Sequence, residues 1–402
     1  MHPLEMQYGP VDGWIILLLM GGLSISFFIY QVVKATRLVM LGAPDNRFDS
    51  WGIRIKEMLV GWLGQKKVLR DKVAGTMHVL MFWGFLMLGS DMLDLVSANY
   101  FSDKILPEFL NNPWNGIVEL GYMTALLGAL AALTRRVLFT PEKLKGKSQL
   151  EGNFILVLIL TITSTSFIIE SSENPSSIWE PLGHWVSGLG LSENFIVASY
   201  WAHMISICCF LVLIPVSKHM HLVMAIPNVF FHDTQALGKM RPLAIGDDGK
   251  AVPLEDLDID SFGVSTFDQY TWRQIIDGWS CTSCARCQDV CPAYESGKGL
   301  NPMQVIHDVR NYANEYAPIL LKGENPEETM LARITSEAVW ACTTCNACVD
   351  ICPLYIEHVP KLTELRRNAM METMDYPEAV SYTHLRAHET LMNLVCRLLL
   401  EK

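Results

Sequence analysis

The chain has 402 residues, of which 50% are hydrophobic and 18% charged, and its formal net charge at pH 7 is −11. This acidity argues against nucleic acid as a partner, because a surface that binds nucleic acid has to be basic. The length allows two domains, and the residues divide accordingly. The long uncharged runs lie before residue 220, whereas eight of the 11 cysteines lie between residues 281 and 352.

Five segments of the first half are apolar over roughly the 20 residues that a helix needs to cross a bilayer. They cover about residues 14–33, 73–94, 115–133, 152–169 and 195–217. Only a helix satisfies its own backbone there, so residues 1–230 are predicted to form a five-helix transmembrane bundle. Residues 1–13 contain no lysine or arginine, so the first apolar run is expected to be a retained helix rather than a signal peptide.

The charges in the loops predict the orientation of these helices. Lysine and arginine are concentrated after the first, third and fifth segments, whereas the loops at about 95–114 and 170–194 carry one lysine against several acidic residues. The positive-inside rule then places the N-terminus outside and the C-terminal half in the cytoplasm. An odd number of spans agrees with this topology.

Four histidines of the membrane half are candidate haem ligands. His78 lies early in the second predicted helix and His221 at the cytoplasmic end of the fifth, so one haem iron could be held between facing helices. His203, nearer the outer end of the fifth helix, is expected on the same face as His221. His219 is expected to point away from that face and is kept as a further candidate. A membrane histidine is also often a packing or interfacial residue, and that alternative stays open.

Three carboxylates lie near the predicted outer ends of the second and third helices: Asp91, Asp94 and Glu119. We interpret them as interfacial groups that seek water. Proton transfer to a quinone is the alternative interpretation, because polar residues inside a membrane often mark function.

Eight cysteines form two copies of the pattern C-x2-C-x2-C-x3-C-P, which is typical of two-cluster ferredoxins. Three thiolates spaced two residues apart can surround three corners of a cubane, and the fourth cysteine is directed to the other cluster. One [4Fe–4S] cluster is therefore predicted on Cys281, Cys284, Cys287 and Cys352, and a second on Cys342, Cys345, Cys348 and Cys291. The alternative metal, zinc, prefers separated C-x2-C pairs.

The residues between the two motifs predict helices rather than strands. Apolar residues recur with helical spacing over 302–316 and 327–340, so residues 271–380 are predicted to form an α-helical ferredoxin domain. Residues 231–270 are predicted to be a linker. The expected role of this domain is conduction, because two clusters that share their motifs lie close together. The fold class is thus all-α, a transmembrane bundle followed by a cytoplasmic ferredoxin domain.

Two parts of the sequence resemble known families. The stretch Tyr200-Trp-Ala-His203, continued by residues 215–227, is similar to the gamma subunit of respiratory nitrate reductase and the membrane subunit of heterodisulfide reductase. This resemblance implies haem b on His78 and His221, with a second, outer haem on His203 as the alternative. Residues 271–380 resemble the helical ferredoxin part of heterodisulfide-reductase-like proteins.

The combination of the two parts, over about residues 10–375, resembles bacterial electron-transfer-flavoprotein:menaquinone oxidoreductases. Such proteins continue into cysteine-rich CCG domains, and this chain is expected to be cut short before them. Residues 381–402 resemble a translated cloning artefact and are predicted to be a non-native tail.

The resemblance implies an oxidoreductase of a bacterial or archaeal cytoplasmic membrane. It would pass electrons from a soluble carrier such as electron-transfer flavoprotein through the clusters and haem b to menaquinone. The first alternative is a non-catalytic anchor and conduit for a separate CCG-domain protein. A membrane redox sensor is the second alternative, although no output domain is visible.

Overall fold

The computed structural model describes residues 3–101, 108–139, 147–172, 175–176, 178–239, 242–243, 252 and 262–378. Within these residues the chain is almost entirely helical. Its strands there are limited to an antiparallel hairpin of β1 (Gln7–Tyr8) and β2 (Val11–Asp12). The prediction of an all-α fold is therefore confirmed. The predicted tail lies outside the described residues, as does the middle of the predicted linker.

The helices of the apolar half, in chain order, are α1 (Gly13–Val39), α2 (Trp51–Glu57), α3 (Lys72–Phe101), α4 (Glu108–Leu138), α5 (Lys147–Glu170), α6 (Pro181–Ser187), α7 (Glu193–Val216) and α8 (His221–Phe230). Among the described residues, α1, α3, α4, α5 and α7 are long and apolar enough to cross a membrane by length and composition. Their apolar side chains remain widely exposed, for example Leu23 at 73% and Leu18 at 61%. This exposure suits a lipid environment, where burial among protein atoms is not required.

The end of the fifth span differs from the expectation that one helix carries both His203 and His221. Helix α7 ends at Val216, Ser217 takes an extended conformation, and a 3-10 turn over Lys218–Met220 precedes the separate helix α8. The hydroxyl of Ser217 accepts a hydrogen bond from the backbone N–H of His219, which starts the new turn. The prediction of a shared helical face for His203 and His221 is therefore wrong.

Helices α3 and α4 approach each other through small residues. A Cβ atom placed on Gly84 would lie 2.7 Å from the carbonyl oxygen of Gly121, and one on Gly128 would lie 2.9 Å from the carbonyl oxygen of Met77. Small residues allow membrane helices to pack closely where the hydrophobic effect supplies no driving force. These glycines therefore fix the spacing of the two helices.

The chain divides into two compact units. One contains Met1–Val33 and Leu63–Met220, and the other contains Lys34–Trp62 and His221–Lys402. The predicted domain boundaries at 230, 270 and 380 remain predictions, and the segment 34–62 is found with the cysteine-rich unit. Close backbone contact explains this placement: a Cβ atom on Gly42 would lie 2.6 Å from the backbone nitrogen of Trp272.

The cysteine-rich unit is built from α8 and a series of further short helices, with the second motif between α15 and α17. They are α9 (Trp272–Ser280), α10 (Arg286–Asp289), α11 (Pro292–Glu295), α12 (Pro302–Glu315), α13 (Ala317–Leu320), α14 (Met330–Ile334), α15 (Ser336–Ala341), α16 (Ala347–Ile351) and α17 (His358–Asn368). The helix predicted over 302–316 is α12, which is capped by the side chain of Asn301. The helix predicted over 327–340 is interrupted at Thr335, whose φ is 75° and whose side chain caps α15.

A network of charged side chains lies in the core of this unit. Arg273 and Asp277 on α9 and Lys361 on α17 are fully buried, and Asp277 accepts hydrogen bonds from both cations. Glu357 lies beside them, with its Oε2 3.0 Å from Nη2 of Arg47. Charged side chains are rarely buried unless they are paired, so this network joins α9, α17 and the segment 34–62 through specific partners.

Candidate metal centres

The two cysteine motifs follow the same backbone path. The residues on either side of the second cysteine of each motif have left-handed conformations, with φ between 56° and 61°: Ser283, Ala285, Thr344 and Asn346. Non-glycine residues adopt this conformation rarely and at a cost, and such residues are concentrated at functional sites. The same bend in both loops turns their cysteines towards a common interior, and α10 and α16 begin directly after it.

Each loop faces a cavity lined by four cysteines, three from its own motif and one from the other. The first is lined by Cys281, Cys284, Cys287 and Cys352. The second is lined by Cys342, Cys345, Cys348 and Cys291. The empty volumes are similar, about 320 and 330 Å³, and the grouping is the interleaved one that the sequence predicts. Ligation of iron by these cysteines stays a prediction.

The spacing of the cysteines differs from that of a single-ion site. Among the described residues, no three histidine, cysteine or carboxylate side chains converge closely enough to hold one metal ion. A zinc site would bring four sulfurs within bonding distance of one centre, at about 2.3 Å each. The cysteines instead follow the C-x2-C-x2-C-x3-C-P pattern of two-cluster ferredoxins, which differs from the separated C-x2-C pairs of zinc sites.

Burial controls the protonation of these thiols. It raises the pKa of Cys281 to about 11 and that of Cys352 to about 12, and it raises the pKa values of Cys287 and Cys348 as well. Because thiolates rather than thiols bind iron, cluster assembly at neutral pH has to displace these protons. Binding of iron would therefore release protons from these thiols.

The first cavity has an imidazole at its edge that the sequence analysis did not single out. Nε2 of His307, on α12, lies 3.6 Å from Sγ of Cys281 and 3.0 Å from Oγ of Ser283. Burial, assisted by the charge of Arg310, lowers the pKa of His307 to about 4, so the ring is neutral at pH 7. A neutral ring with its proton on Nε2 would donate towards the sulfur of Cys281, and such bonds tune cluster potentials.

The second cavity has a guanidinium in the corresponding place. Arg366, on α17, donates to the carbonyl oxygens of Cys342 and Val339, with 2.8 Å to the latter. Its charge also lies over the ring of Trp340, 5.4 Å from the centroid. Arg366 therefore holds the start of the second motif and brings positive charge near Cys342.

His358 lies between the two cavities and lines both. Its Nδ1 lies 3.1 Å from the carbonyl oxygen of Ile356, which can only accept, so this nitrogen carries the proton. Burial and the nearby Lys361 lower the pKa of His358 to about 4. The ring is thus a neutral spacer between the two sites at pH 7.

The candidate haem histidines are found in different surroundings. His78 lies in α3, where its ring stacks near Phe82, with the centroids 6.4 Å apart. His219 lies in the turn after α7, where its Nδ1 is 3.2 Å from Oγ of Ser217 and 3.9 Å from a carboxylate oxygen of Glu151. His221 is the first residue of α8 and belongs to the other compact unit than His78. Binding of haem by any of them stays a prediction.

His203 has a contact that is typical of metal-binding histidines. Its Nδ1 lies 3.1 Å from the carbonyl oxygen of Ile162 and 3.0 Å from Oγ1 of Thr165, both on α5. Since the carbonyl only accepts, Nδ1 is the protonated nitrogen and Nε2 keeps its lone pair. Metal-bound histidines commonly donate their other N–H to a carbonyl in this way. A packing histidine satisfied by Ile162 would look the same, so both interpretations remain.

Glu119 is not at a water-seeking position. Its side chain is buried, and Oε1 accepts hydrogen bonds from the backbone N–H groups of Leu182 at 2.7 Å and Gly183 at 2.8 Å. These are first-turn amides of α6, so Glu119 caps that helix. The interpretation of Glu119 as an interfacial group is therefore wrong. The side chains of Asp91 and Asp94 lie outside the described residues.

Comparison with known proteins supports the cysteine sites. The model of a 4Fe-4S dicluster domain matches residues 273–353. The EtfAB:quinone oxidoreductase of Syntrophomonas wolfei is 28% identical, in an alignment that covers 94% of this chain and 58% of that protein. The probable iron-sulfur-binding oxidoreductase FadF of Bacillus subtilis is 27% identical over 88% of this chain and 55% of its own length.

A further relative is one of the subunits of the ferredoxin:CoB-CoM heterodisulfide reductase of Methanosarcina mazei, 30% identical over 29% of this chain and 58% of the relative. No solved structure matches. The chain spans between half and two thirds of the length of the first two relatives. It contains a 4Fe-4S dicluster domain, and it is a homologue of the EtfAB:quinone oxidoreductase, of the iron-sulfur-binding oxidoreductase FadF and of heterodisulfide reductase subunits.

Proposed function

We propose that this chain transfers electrons between a soluble redox carrier and menaquinone in the membrane. Two [4Fe–4S] clusters in the two cysteine-lined cavities and haem b would carry the electrons. The observation that supports this most directly is the arrangement of eight cysteines as two interleaved sets of four around two cavities. The name of the Syntrophomonas relative, an EtfAB:quinone oxidoreductase, supports electron-transfer flavoprotein as the carrier.

The protein's own contribution is to position and insulate the redox groups. The left-handed residues beside Cys284 and Cys345 bend each loop around its cavity, and Cys281, Cys287 and Cys352 of the first cavity are buried. Low solvent exposure and hydrogen bonds to sulfur both influence the potential of a cluster. The clusters supply one-electron chemistry, so the residues around them set where and how easily electrons are accepted.

For the membrane half, we propose haem b on His78 and His221, with His203 as a ligand of a second haem. The contact from Nδ1 of His203 to Ile162 supports the second assignment, because it leaves Nε2 available. The loop charges support a topology with the N-terminus outside and residues 271–380 in the cytoplasm. In this arrangement the soluble carrier and the cysteine sites share one compartment.

Cofactor analysis of the full chain, purified from membranes, tests this function. We expect about eight irons in clusters per chain, a [4Fe–4S] EPR signal after reduction, and one or two haems by pyridine haemochrome. Reduced electron-transfer flavoprotein should then reduce a menaquinone analogue through the protein. Zinc in place of iron, with no cluster signal, would refute the proposal.

A second candidate function is a membrane anchor and conduit for a separate catalytic protein. It is favoured by the similarity to one component of the Methanosarcina heterodisulfide reductase, because that relative acts as part of a larger enzyme. Quinone reduction by the purified chain distinguishes the two candidate functions. The first predicts quinone reduction by the purified chain with its carrier, whereas the second predicts reduction only after a catalytic partner protein is added.

A further inference from the structure

The cysteines that line the two cavities differ in their exposure to solvent. Among the residues lining the second cavity, Cys345 and the neighbouring Thr343 are exposed. Val290 and Tyr294, on either side of its fourth cysteine, are 37% and 40% exposed. The cysteines of the first cavity are all buried or half-buried. A redox partner in solution would therefore approach the second cavity more closely than the first.

The chain beside the first cavity is bonded to α8, the helix that follows the fifth apolar span after a single short turn. Oγ of Ser280, the residue before Cys281, donates to the carbonyl oxygen of Met224 at 3.0 Å. Nδ2 of Asn228 donates to the carbonyl oxygen of Leu354 at 2.7 Å, and Leu354 lines the first cavity. Helix α8 is thus bonded to the chain beside two of the four cysteines of that cavity.

The segment that follows the first apolar span contacts the same place. The hydroxyl of Tyr355 donates to a carboxylate oxygen of Glu57 at 2.6 Å, and Arg47 forms a buried ion pair with Glu357. Two segments of this unit continue directly from apolar helices: residues 34–62 and α8. Both contact residues 354–357, shortly after Cys352. The chain beside the first cavity is therefore linked to two apolar helices through α8 and the segment 34–62.

We propose that the two clusters act in a fixed order. The cluster on Cys342, Cys345, Cys348 and Cys291 exchanges electrons with the soluble partner, and the cluster on Cys281, Cys284, Cys287 and Cys352 exchanges them with the membrane side. This order rests on the proposed electron-transfer function and extends it. Each transfer oxidises the soluble donor by one electron, and two transfers together with two protons from water convert one quinone into quinol.

The internal repeat of the motifs supplies a matched pair of test positions. Thr343 follows the first cysteine of the second motif as Thr282 follows that of the first, and each lines its own cavity. We would prepare Thr343→Lys, Thr343→Glu, Thr282→Lys and Thr282→Glu in the full chain. The dithionite-reduced proteins would be mixed with ferricyanide, a trianion that takes one electron per molecule, and the oxidation rate followed by stopped flow.

Placing one charge near the site of electron exchange should change the encounter rate with a trianion by about three- to tenfold at low ionic strength. We expect Thr343→Lys to accelerate oxidation and Thr343→Glu to slow it, with the difference disappearing in high salt. The Thr282 variants should differ from the unsubstituted protein by less than about twofold. Equal or larger effects at Thr282 would overturn the proposed order.

A second measurement needs no substitution at the surface. A neutral, water-soluble gadolinium chelate relaxes the EPR signal of the nearer cluster more strongly, and Cys345→Ser or Cys284→Ser would identify which signal belongs to which cluster. We expect stronger relaxation of the signal that changes in Cys345→Ser, and the reverse would refute the order. Absence of both signals would refute the proposed function itself, so the two failures are distinguishable.

Discussion

The buried carboxylate of Asp277 allows a strong test of how the cysteine-rich unit is held together. It accepts hydrogen bonds from Nη1 of Arg273 at 2.7 Å, from Nζ of Lys361, and from the backbone N–H of Glu357 at 3.1 Å. The substitution Asp277→Asn keeps the shape of the side chain but removes its charge. Arg273 and Lys361 would then lose their shared anionic partner while both remain fully buried.

The expected cost follows from the burial of all three groups. Removing one partner of a buried ion pair typically costs about 3–5 kcal/mol, because it leaves an uncompensated charge out of water. At about 1.36 kcal/mol per factor of ten, this corresponds to a change of roughly 10²-fold to 5 × 10³-fold in the equilibrium for local opening. The loss should be concentrated in α9 and α17, which carry the three residues.

Hydrogen exchange of the full chain, followed by mass spectrometry, measures this loss directly. The backbone amides of α9 and α17 should lose protection in Asp277→Asn by at least about a hundredfold. The matched control is Glu315→Gln, which removes an exposed partner of Arg333 and should cost no more than about 1 kcal/mol. A loss below tenfold in Asp277→Asn, or one equal to that of the control, would refute the reasoning.

Three further results are expected. Burial alone would raise the pKa of Asp277, but Arg273 and Lys361 lower it to about 2; its contribution to stability is therefore present above the unfolded pKa of about 3.9 and is lost as the pH falls towards 2. The difference in unfolding free energy between the unsubstituted protein and Asp277→Asn should therefore shrink as the pH falls from about 4 to about 2. A difference that stays constant over these pH values would contradict this explanation. His307→Leu should lower the midpoint potential of the cluster on Cys281 by tens of mV, because it removes a hydrogen-bond donor near that sulfur. For scale, about 59 mV corresponds to a tenfold change in a one-electron equilibrium. The other cluster serves as the internal control in the same redox titration. Cys345→Ala should lower the iron content towards four per chain. The control Cys209→Ala changes an exposed cysteine outside the motifs and should leave the iron content unchanged. Equal iron contents in the two variants would argue against the proposed ligands.

The broad organisation could be predicted because it depends on local signals. Apolar runs of sufficient length indicate membrane helices wherever they occur, and the two cysteine patterns indicate their own grouping through their spacing. The five apolar helices and the helices between the motifs appear where these signals place them, although their ends differ by several residues. Element ends depend on capping and packing, which apolar periodicity does not report.

The end of α7 shows the limit of a hydropathy argument. The apolar run ends at Ser217 and Lys218 follows, which marks the end of the span but does not show whether the helix itself continues to His221. The extended backbone at Ser217 decides the break, and that conformation is stabilised by a hydroxyl contact to the next turn. A serine before a lysine is a weak signal for such a break. The spacing of 18 residues between His203 and His221 fits five helical turns, so it favoured the incorrect prediction of one continuous helix.

The buried charges could not be predicted for a different reason. Arg273 and Asp277 have the i, i+4 spacing of an ordinary exposed helix pair, and their third partner, Lys361, is distant in sequence. The contact of His307 with Cys281 likewise depends on how α12 packs against the first motif. Interactions of this kind arise from tertiary packing, so a single sequence carries little trace of them.

The exchange of the fourth cysteines between the motifs also determines when each site can be completed during synthesis. The ribosome releases the second cavity's cysteines by Cys348, but the first cavity, which begins earlier in the chain, waits for Cys352. The first motif is therefore synthesised first, but its cavity is the last to gain its fourth cysteine. A chain made only as far as the first motif would offer three cysteines at the first cavity, so a complete set of four at both cavities requires translation through Cys352.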